Sequence, residues 1–240
     1  PLVWITRPQP GADRTAEAVA AIGLEPLVLP LTEVRACDPE IDIDAAERAG
    51  FVAVTSANAI RLAPKALLDA MRAKPLYAVG NATRAAAEAA GFARAVSAQG
   101  AVDDLAALIA AREGPGSEGL YLCGRRRTGD LEDRLAAAGI SCRPAEVYAT
   151  YSVSQPTYKK AIASGGRGPA AALFHSALSA HAFAGAVAAS EIHAFEKTLF
   201  FALSARIADA LPDWARTRVV VAATPDEDHL LAALRAGFAL

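Results

Sequence analysis

The chain has 240 residues, with 24 Lys and Arg against 26 Asp and Glu and a formal net charge of −2. With 53% hydrophobic and 21% charged residues it excludes an unfolded chain and is long enough for one large domain or two small ones. Its near-neutral balance lacks the basic footprint of a dedicated nucleic-acid binder, so no nucleic-acid partner is expected.

No apolar run reaches the ~18 residues that a membrane-spanning helix takes. No basic segment followed by an apolar one opens the sequence as in a secretion signal. Cys37, Cys123 and Cys142 are odd in number and lack C-x-x-C spacing, which argues against a disulfide framework. The expected compartment is the reducing cytoplasm, without membrane attachment.

In chain order, apolar runs predict strands at residues 2–6, 51–55, 76–79, 120–123, 147–151, 171–174, 199–203 and 218–222. Most are continuously apolar, as strands buried on both faces should be. Ala-rich stretches of helical period lie between them. Gly23, Gly91 and Gly139 each follow such a stretch and read as the left-handed residue that ends a helix. Ser56, Asn81, Ser176 and Ser204 each follow a strand directly and read as N-caps. Strand and helix alternate throughout, which predicts an α/β protein with parallel sheets.

The chain also repeats itself. Residues 51–71, 76–91 and 101–110 recur as residues 171–189, 199–212 and 224–236, with Ser56 answering to Ser176 and Gly80 to Ser204 at nearly constant spacing. A weaker match joins residues 2–26 to residues 120–144. Duplication therefore predicts two similar flavodoxin-like parallel-sheet lobes. Such lobes bind ligands beyond the carboxyl ends of their strands, and two of them facing each other make a cleft.

Four junctions place small or hydroxylated residues at a helix start: Thr55-Ser56-Ala57-Asn58, Gly80-Asn81-Ala82-Thr83, His175-Ser176-Ala177 and Leu203-Ser204-Ala205. Each reads either as ordinary capping or as a set of free N–H groups able to hold carboxylates or phosphates. Arg7, and Arg125-Arg126-Arg127, stand at corresponding strand ends. A guanidinium fork suits a carboxylate, although a run of arginines is as readily a solvated loop.

Other matches fail on context. Gly114-Pro115-Gly116-Ser117-Glu118-Gly119 precedes a strand, where a dinucleotide fingerprint follows one. Asn81-Ala82-Thr83 fits a glycosylation sequon but lies at a helix start. His175, His181, His193 and His229 lack metal-ligand spacing, and His175-Ser176-Ala177 lacks the glycines of a nucleophile elbow. Tyr148 and Tyr151, in an extended stretch, read on residue type alone as strand packing.

Taken in order, Thr6-Arg7-Pro8, Val54-Thr55-Ser56-Ala57-Asn58-Ala59, Ala78-Val79-Gly80-Asn81-Ala82-Thr83, Val147-Tyr148-Ala149-Thr150, Phe174-His175-Ser176 and Ala222-Ala223-Thr224-Pro225 resemble the uroporphyrinogen-III synthase family. The resemblance implies a cofactor-free, metal-free hydro-lyase acting on hydroxymethylbilane, a linear tetrapyrrole polycarboxylate. The product is cyclic uroporphyrinogen III, formed with loss of water and inversion of ring D. It implies Tyr148 as catalytic general acid, and Thr6, Arg7, Ser56, Ala57, Asn58, Gly80, Asn81, Thr83, Arg126, Ser176 and Ser204 as substrate contacts.

The resemblance also implies a first lobe of residues 1–34 plus 152–240 and a second of 35–151. A two-stranded linker near residues 30–34 and 148–153 joins them, and the substrate lies in the cleft. A monomer in transient contact with the preceding pathway enzyme is implied too. Two departures stand out: Leu203-Ser204-Ala205-Arg206-Ile207 has Ile207 where the family carries threonine, and Thr128 stands where an arginine is frequent. The competing readings are a two-lobed α/β small-anion binding protein without catalysis and a tandem of flavodoxin-like signalling domains. The second lacks the strand-end aspartate it needs.

Overall fold

The computed structural model describes residues 1–127, 129–153, 168–187 and 189–239. Thr128, which stands where the family frequently has an arginine, lies outside them. The chain divides into two compact units. Unit 1 is Pro1–Glu33 with Tyr151–Leu240, and unit 2 is Val34–Thr150, so the backbone passes from one to the other twice.

Unit 1 opens with β1 (Leu2–Ile5), α1 (Gly11–Ala21) and β2 (Glu25–Val28). From β3 (Thr32–Ala36) the chain runs through unit 2: α2 (Ile43–Arg48), β4 (Phe51–Val54), α3 (Ala57–Leu62), α4 (Lys65–Met71), β5 (Leu76–Ala78), α5 (Asn81–Ala89), β6 (Ala95–Ser97), α6 (Val102–Glu113), β7 (Glu118–Gly124), α7 (Leu131–Ala137) and β8 (Ser141–Ser152). Unit 1 resumes with β9 (Ala171–Phe174), α8 (Ala177–Ala186), a 3₁₀ helix (Ala189–Phe195), β10 (Leu199–Ala202), α9 (Ala205–Asp209), α10 (Asp213–Arg216), β11 (Val219–Val221) and α11 (Glu227–Phe238).

The unit 1 sheet has the order β2-β1-β9-β10-β11, parallel throughout. Counted within the unit this is the flavodoxin order 2-1-3-4-5. The unit 2 sheet has the order β3-β8-β7-β4-β5-β6 and is parallel from β8 to β6. β3 pairs with β8 in the opposite sense. The Cys37 N–H donates to the Val147 carbonyl at 2.9 Å and the Val153 N–H to that of Leu31 at 3.0 Å, so the partners run in opposite directions.

The apolar strands lie in the middle of the sheets because helices cover both faces. In unit 2, Val52, Val54, Leu120 and Leu122 pack on Ile60, Leu67, Met71 and Phe92. The alternate residues Phe51, Ala53, Tyr77 and Tyr121 pack on Leu105, Ile109, Leu131 and Leu135. Unit 1 repeats the scheme with Trp4, Phe174 and Phe200 on one face and Val3, Ile5, Leu173 and Phe201 on the other.

β8 is longer than the expected 147–151. Its buried Cys142, Ala145, Val147 and Ala149 are separated by more exposed residues and so give no continuous apolar run. Gly23, Gly91 and Gly139 have φ of +81°, +94° and +73° and end their helices as expected. Ser56 and Ser176 cap α3 and α8, accepting at 3.2 Å from the N–H of Asn58 and of Ser179. Asn81 does not cap α5: Gly80 takes that place, and Asn81 is the first helical residue. Ser204 stands at the cap of α9 without a side-chain bond.

Candidate functional site

In each unit the strand register brings the candidate residues to one edge. In unit 2, Val54 pairs with both Ala78 and Leu122, so the residues after β4, β5 and β7 emerge together. There a cavity of about 310 Å³ is lined by Thr55, Ser56, Val79, Ala101, Val102, Tyr121, Gly124, Arg126, Arg127 and Tyr148. It lies beyond the carboxyl ends of β4 and β7, the place where the strand order reverses. A smaller pocket of about 80 Å³, with Glu118 and Ser141, opens at the amino ends of β7 and β8, which is not where such sheets bind ligands.

A bulge aims Tyr148 at the cavity. Pairing between β7 and β8 runs regularly to Cys123 with Glu146, then slips to Gly124 with Tyr148. A bulge of this kind re-aims a side chain at a sheet edge. The Tyr148 ring then lies across Gly124, where a Cβ would come within 2.6 Å of its Cζ. The Arg125 N–H donates to the Tyr148 carbonyl at 2.8 Å and fixes the backbone.

Beside Tyr148, the Tyr121 hydroxyl and Thr55 Oγ1 share a 2.7 Å hydrogen bond. Burial pushes the Tyr121 phenol up to about 12, so it keeps its proton. The three arginines separate. Arg127 is tied to Glu146 at 2.9 Å and to Glu132 at 3.1 Å. Arg125 pairs with Glu146 at 3.5 Å and lines a different cavity with Asp38 and Glu40. Arg126 lines the Tyr148 cavity and has no ion pair among the described residues.

Unit 1 has its own cavity at the corresponding edge, about 420 Å³, lined by Arg7, Arg14, His175, Leu203, Pro225, Asp226 and Glu227. Glu227 gathers three donors. Arg7 Nη1 lies 2.7 Å and His175 Nε2 3.0 Å from its Oε2, and Thr15 Oγ1 donates to its Oε1 at 2.5 Å. Burial disfavours the Glu227 charge, but the bonds from His175 and Thr15 and the charge of Arg7 outweigh it and hold the carboxyl at about 2. Burial lowers His175, against the pull of Glu227.

Of the residues expected to touch substrate, Ser56 and Arg126 line the unit 2 cavity with Tyr148, and Ala57 and Asn58 follow Ser56 in the first turn of α3. Gly80, Asn81 and the buried Thr83 form the start of α5, directly after cavity-lining Val79. In unit 1, Arg7 lines the cavity, while Ser176 and Ser204 start α8 and α9 beside His175 and Leu203. Thr6 is fully buried and donates to the Leu173 carbonyl at 2.7 Å, joining the ends of β1 and β9. Ile207 is buried in the core beneath β10, so apolar packing takes the place of the family's threonine.

Tyr121 and Glu227 were not singled out from the sequence. Tyr121 sits in an apolar run that reads as core, and Glu227 in an acidic first turn that reads as a complement to the helix dipole. The repeat pairs Tyr121 with the core residue Val3 and gives no signal for it; for Glu227 the signal was the Thr224-Pro225 motif just before it.

The family profile described as Uroporphyrinogen-III synthase HemD matches residues 13–232. No curated protein sequence matches significantly. Among solved structures, the uroporphyrinogen-III synthetase of Helicobacter pylori is similar with a TM-score of 0.56 at 17% identity, over 98% of each chain. A mutant uroporphyrinogen III synthase of Thermus thermophilus is similar with a TM-score of 0.53 at 17% identity, over 98% of this chain and 96% of the other. These two likenesses establish the shared fold, and the profile, spanning most of the sequence, establishes that the chain belongs to the uroporphyrinogen-III synthase HemD family.

Proposed function

We propose that the protein converts hydroxymethylbilane to uroporphyrinogen III, with Tyr148 in the unit 2 cavity assisting the loss of water. The observation that carries this reading is the phenol of Tyr148, set by a bulge over Gly124 into a cavity at the ligand-binding edge of the sheet. The phenol donates a hydrogen bond to the departing hydroxyl as the C–O bond breaks. The pyrrole nitrogen pushes the electron pair and the phenol's proton passes to the hydroxyl, leaving an azafulvene cation, water and a phenolate that is reprotonated at the end of the sequence. Ring D then attacks through its substituted carbon to give a spiro intermediate, which fragments and recloses with ring D inverted; loss of a proton restores the aromatic ring.

The chain's part is to hold the bilane folded so that the substituted carbon meets the azafulvene. The substrate's carboxylates call for donors. Arg126 in unit 2, Arg7 and Arg14 in unit 1, and the N–H groups that open α5 and α8 are the groups we assign to them. Ser56, Ala57, Asn58, Gly80, Asn81, Thr83, Ser176 and Ser204 shape those starts, and Thr6 acts from beneath by holding the edge that carries Arg7.

A single chain carries both cavities, so a monomer suffices. Free Cys37, Cys123 and Cys142 suit a reducing cytoplasm. A substrate that closes spontaneously to the type I isomer favours brief contact with the enzyme that makes it. No helix among the described residues is long and apolar enough to cross a membrane. We infer duplication as the origin of the two units; β1-β9-β10-β11 and β7-β4-β5-β6 have matching order. Incubation with freshly generated hydroxymethylbilane tests the function: type III should dominate, and the spontaneous type I product alone would refute it.

A further inference from the structure

The unit 1 cavity holds a carboxylate of its own beside the arginine expected to meet substrate. Glu227 draws donors from three elements: Arg7 after β1, Thr15 on α1 and His175 after β9. We propose that Glu227 is a positioning residue, pinning one edge of the Arg7 guanidinium so that its remaining donors meet a carboxylate of the substrate.

Arg7 spends only Nη1 on this cluster, on Glu227 and, at 3.3 Å, on Thr15. Nε and Nη2 have no partner among the described residues and are not sealed from solvent, and the side chain lines the cavity. A Cβ on Gly11 would lie 2.6 Å from each of Cζ, Nε and Nη2. Equal distances to the three atoms place the Nε–Nη2 side of the guanidinium face-on beneath Gly11, where a residue without a Cβ leaves it room. One carboxylate on one edge and a second on the other is a pattern the planar fork permits.

The opposite reading makes Glu227 a competitor that substrate must displace. The bonding argues against it. Glu227 opens α11, where the helix dipole favours a negative charge, and both of its oxygens are engaged. Displacement would break three hydrogen bonds at once, of the stronger charge-assisted kind. Arg14, on the same cavity, supplies a positive charge that Glu227 does not contact, while the other carboxylate of that lining, Asp226, is engaged by Thr224 and His229.

The inference rests on the proposed synthase reaction, and its test is a double-mutant cycle on that reaction. Glu227→Gln keeps the size of the side chain and loses the charge; it should raise the KM for hydroxymethylbilane about tenfold, with kcat changed less than twofold and type III still formed. In an Arg7→Ala background the same substitution should add nothing. Thr15→Val, which removes the hydroxyl's bonds to Glu227 and Arg7 and spares the charge, should give a smaller rise in KM and covers the case in which Glu227→Gln does not fold. An unchanged or lowered KM in either variant, or additive effects in the cycle, would overturn the proposal. If the wild-type protein makes only type I, the functional reading fails with it, and that result is seen before any variant is assayed.

Discussion

Among single residues, the Tyr148 hydroxyl is set by a neighbour that has no side chain. Tyr148 lies over Gly124, so Tyr148→Phe preserves the packing and removes only the donor. General acid assistance is worth about 10²–10⁴-fold. The pyrrole nitrogen already drives departure, so kcat should fall near the lower end of that range, with little change in KM and with type III retained. Gly124→Ala would displace the ring and should lower kcat comparably. Wild-type kcat in a folded Tyr148→Phe variant would return Tyr148 to the role of packing.

The Glu227 cluster gives a second residue-scale prediction, read in stability. Its carboxyl, held at about 2 in the fold against an ordinary 4.5, takes up a proton less readily folded than unfolded. Its contribution is therefore complete above pH 4.5 and is lost as pH falls from there to about 2. His175, lowered from 6.5 by burial, acts in the same direction and begins to cost stability as pH falls below 6.5. Arg7, which stays charged, faces both. Thermal midpoints measured against pH should fall across both windows, and Glu227→Gln should flatten the lower one. An unaltered slope below pH 4.5 in that variant would show that the cluster is not coupled to folding.

At the scale of elements, what could be read from the sequence was set by burial. β4, β9 and β10 are almost wholly enclosed and show as apolar runs. β2 and β6 stand at sheet edges, half-exposed and three or four residues long, and give no such signal. The helix starts were legible as small-residue junctions. Which residue occupies the cap was not, because Gly80 and Asn81 differ by one position in a geometry set by the strand. Ser56 stood out as a junction residue and Arg126 only as one of three arginines, while Tyr148, alone among strand residues of its kind, was picked out by the family resemblance. Glu227 was not, since it gains its place through Thr15, 212 residues away.

The start of α5 offers the element-scale test. Gly80 is extended, with φ −144° and ψ 170°, and Asn81 is the first residue of the helix. Proline is well suited to that position and the preceding residue already has the conformation it requires, so Asn81→Pro should fold normally. It removes one N–H from the end of a nine-residue helix. If that group serves a substrate carboxylate, KM should rise about fivefold, the equivalent of ~1 kcal/mol. Asn81→Ala, which keeps the N–H, should do much less. Equal effects of the two would assign the contact to the side chain.

For the whole molecule, the strand orders carry the argument. Unit 1 follows the flavodoxin order within itself, and in unit 2 the late strands β7 and β8 occupy the places that β1 and β2 hold in unit 1. The chain enters the same arrangement at a different strand in each unit, which is why a repeat read along the sequence matches residues 2–26 to 120–144 out of the order of the rest. Each sheet thereby brings a basic strand end to its ligand-binding edge, Arg7 in one unit and Arg126 in the other. A polycarboxylate substrate suits such a chain. On the proposed reading, this scaffold governs which way ring D closes. The most direct measurement is the ratio of type III to type I uroporphyrinogen formed from fresh hydroxymethylbilane as protein concentration is raised. The account predicts a ratio that climbs toward type III with added protein, and a heat-denatured control that stays at type I. A ratio that stays at the spontaneous value at every concentration of folded protein would contradict it.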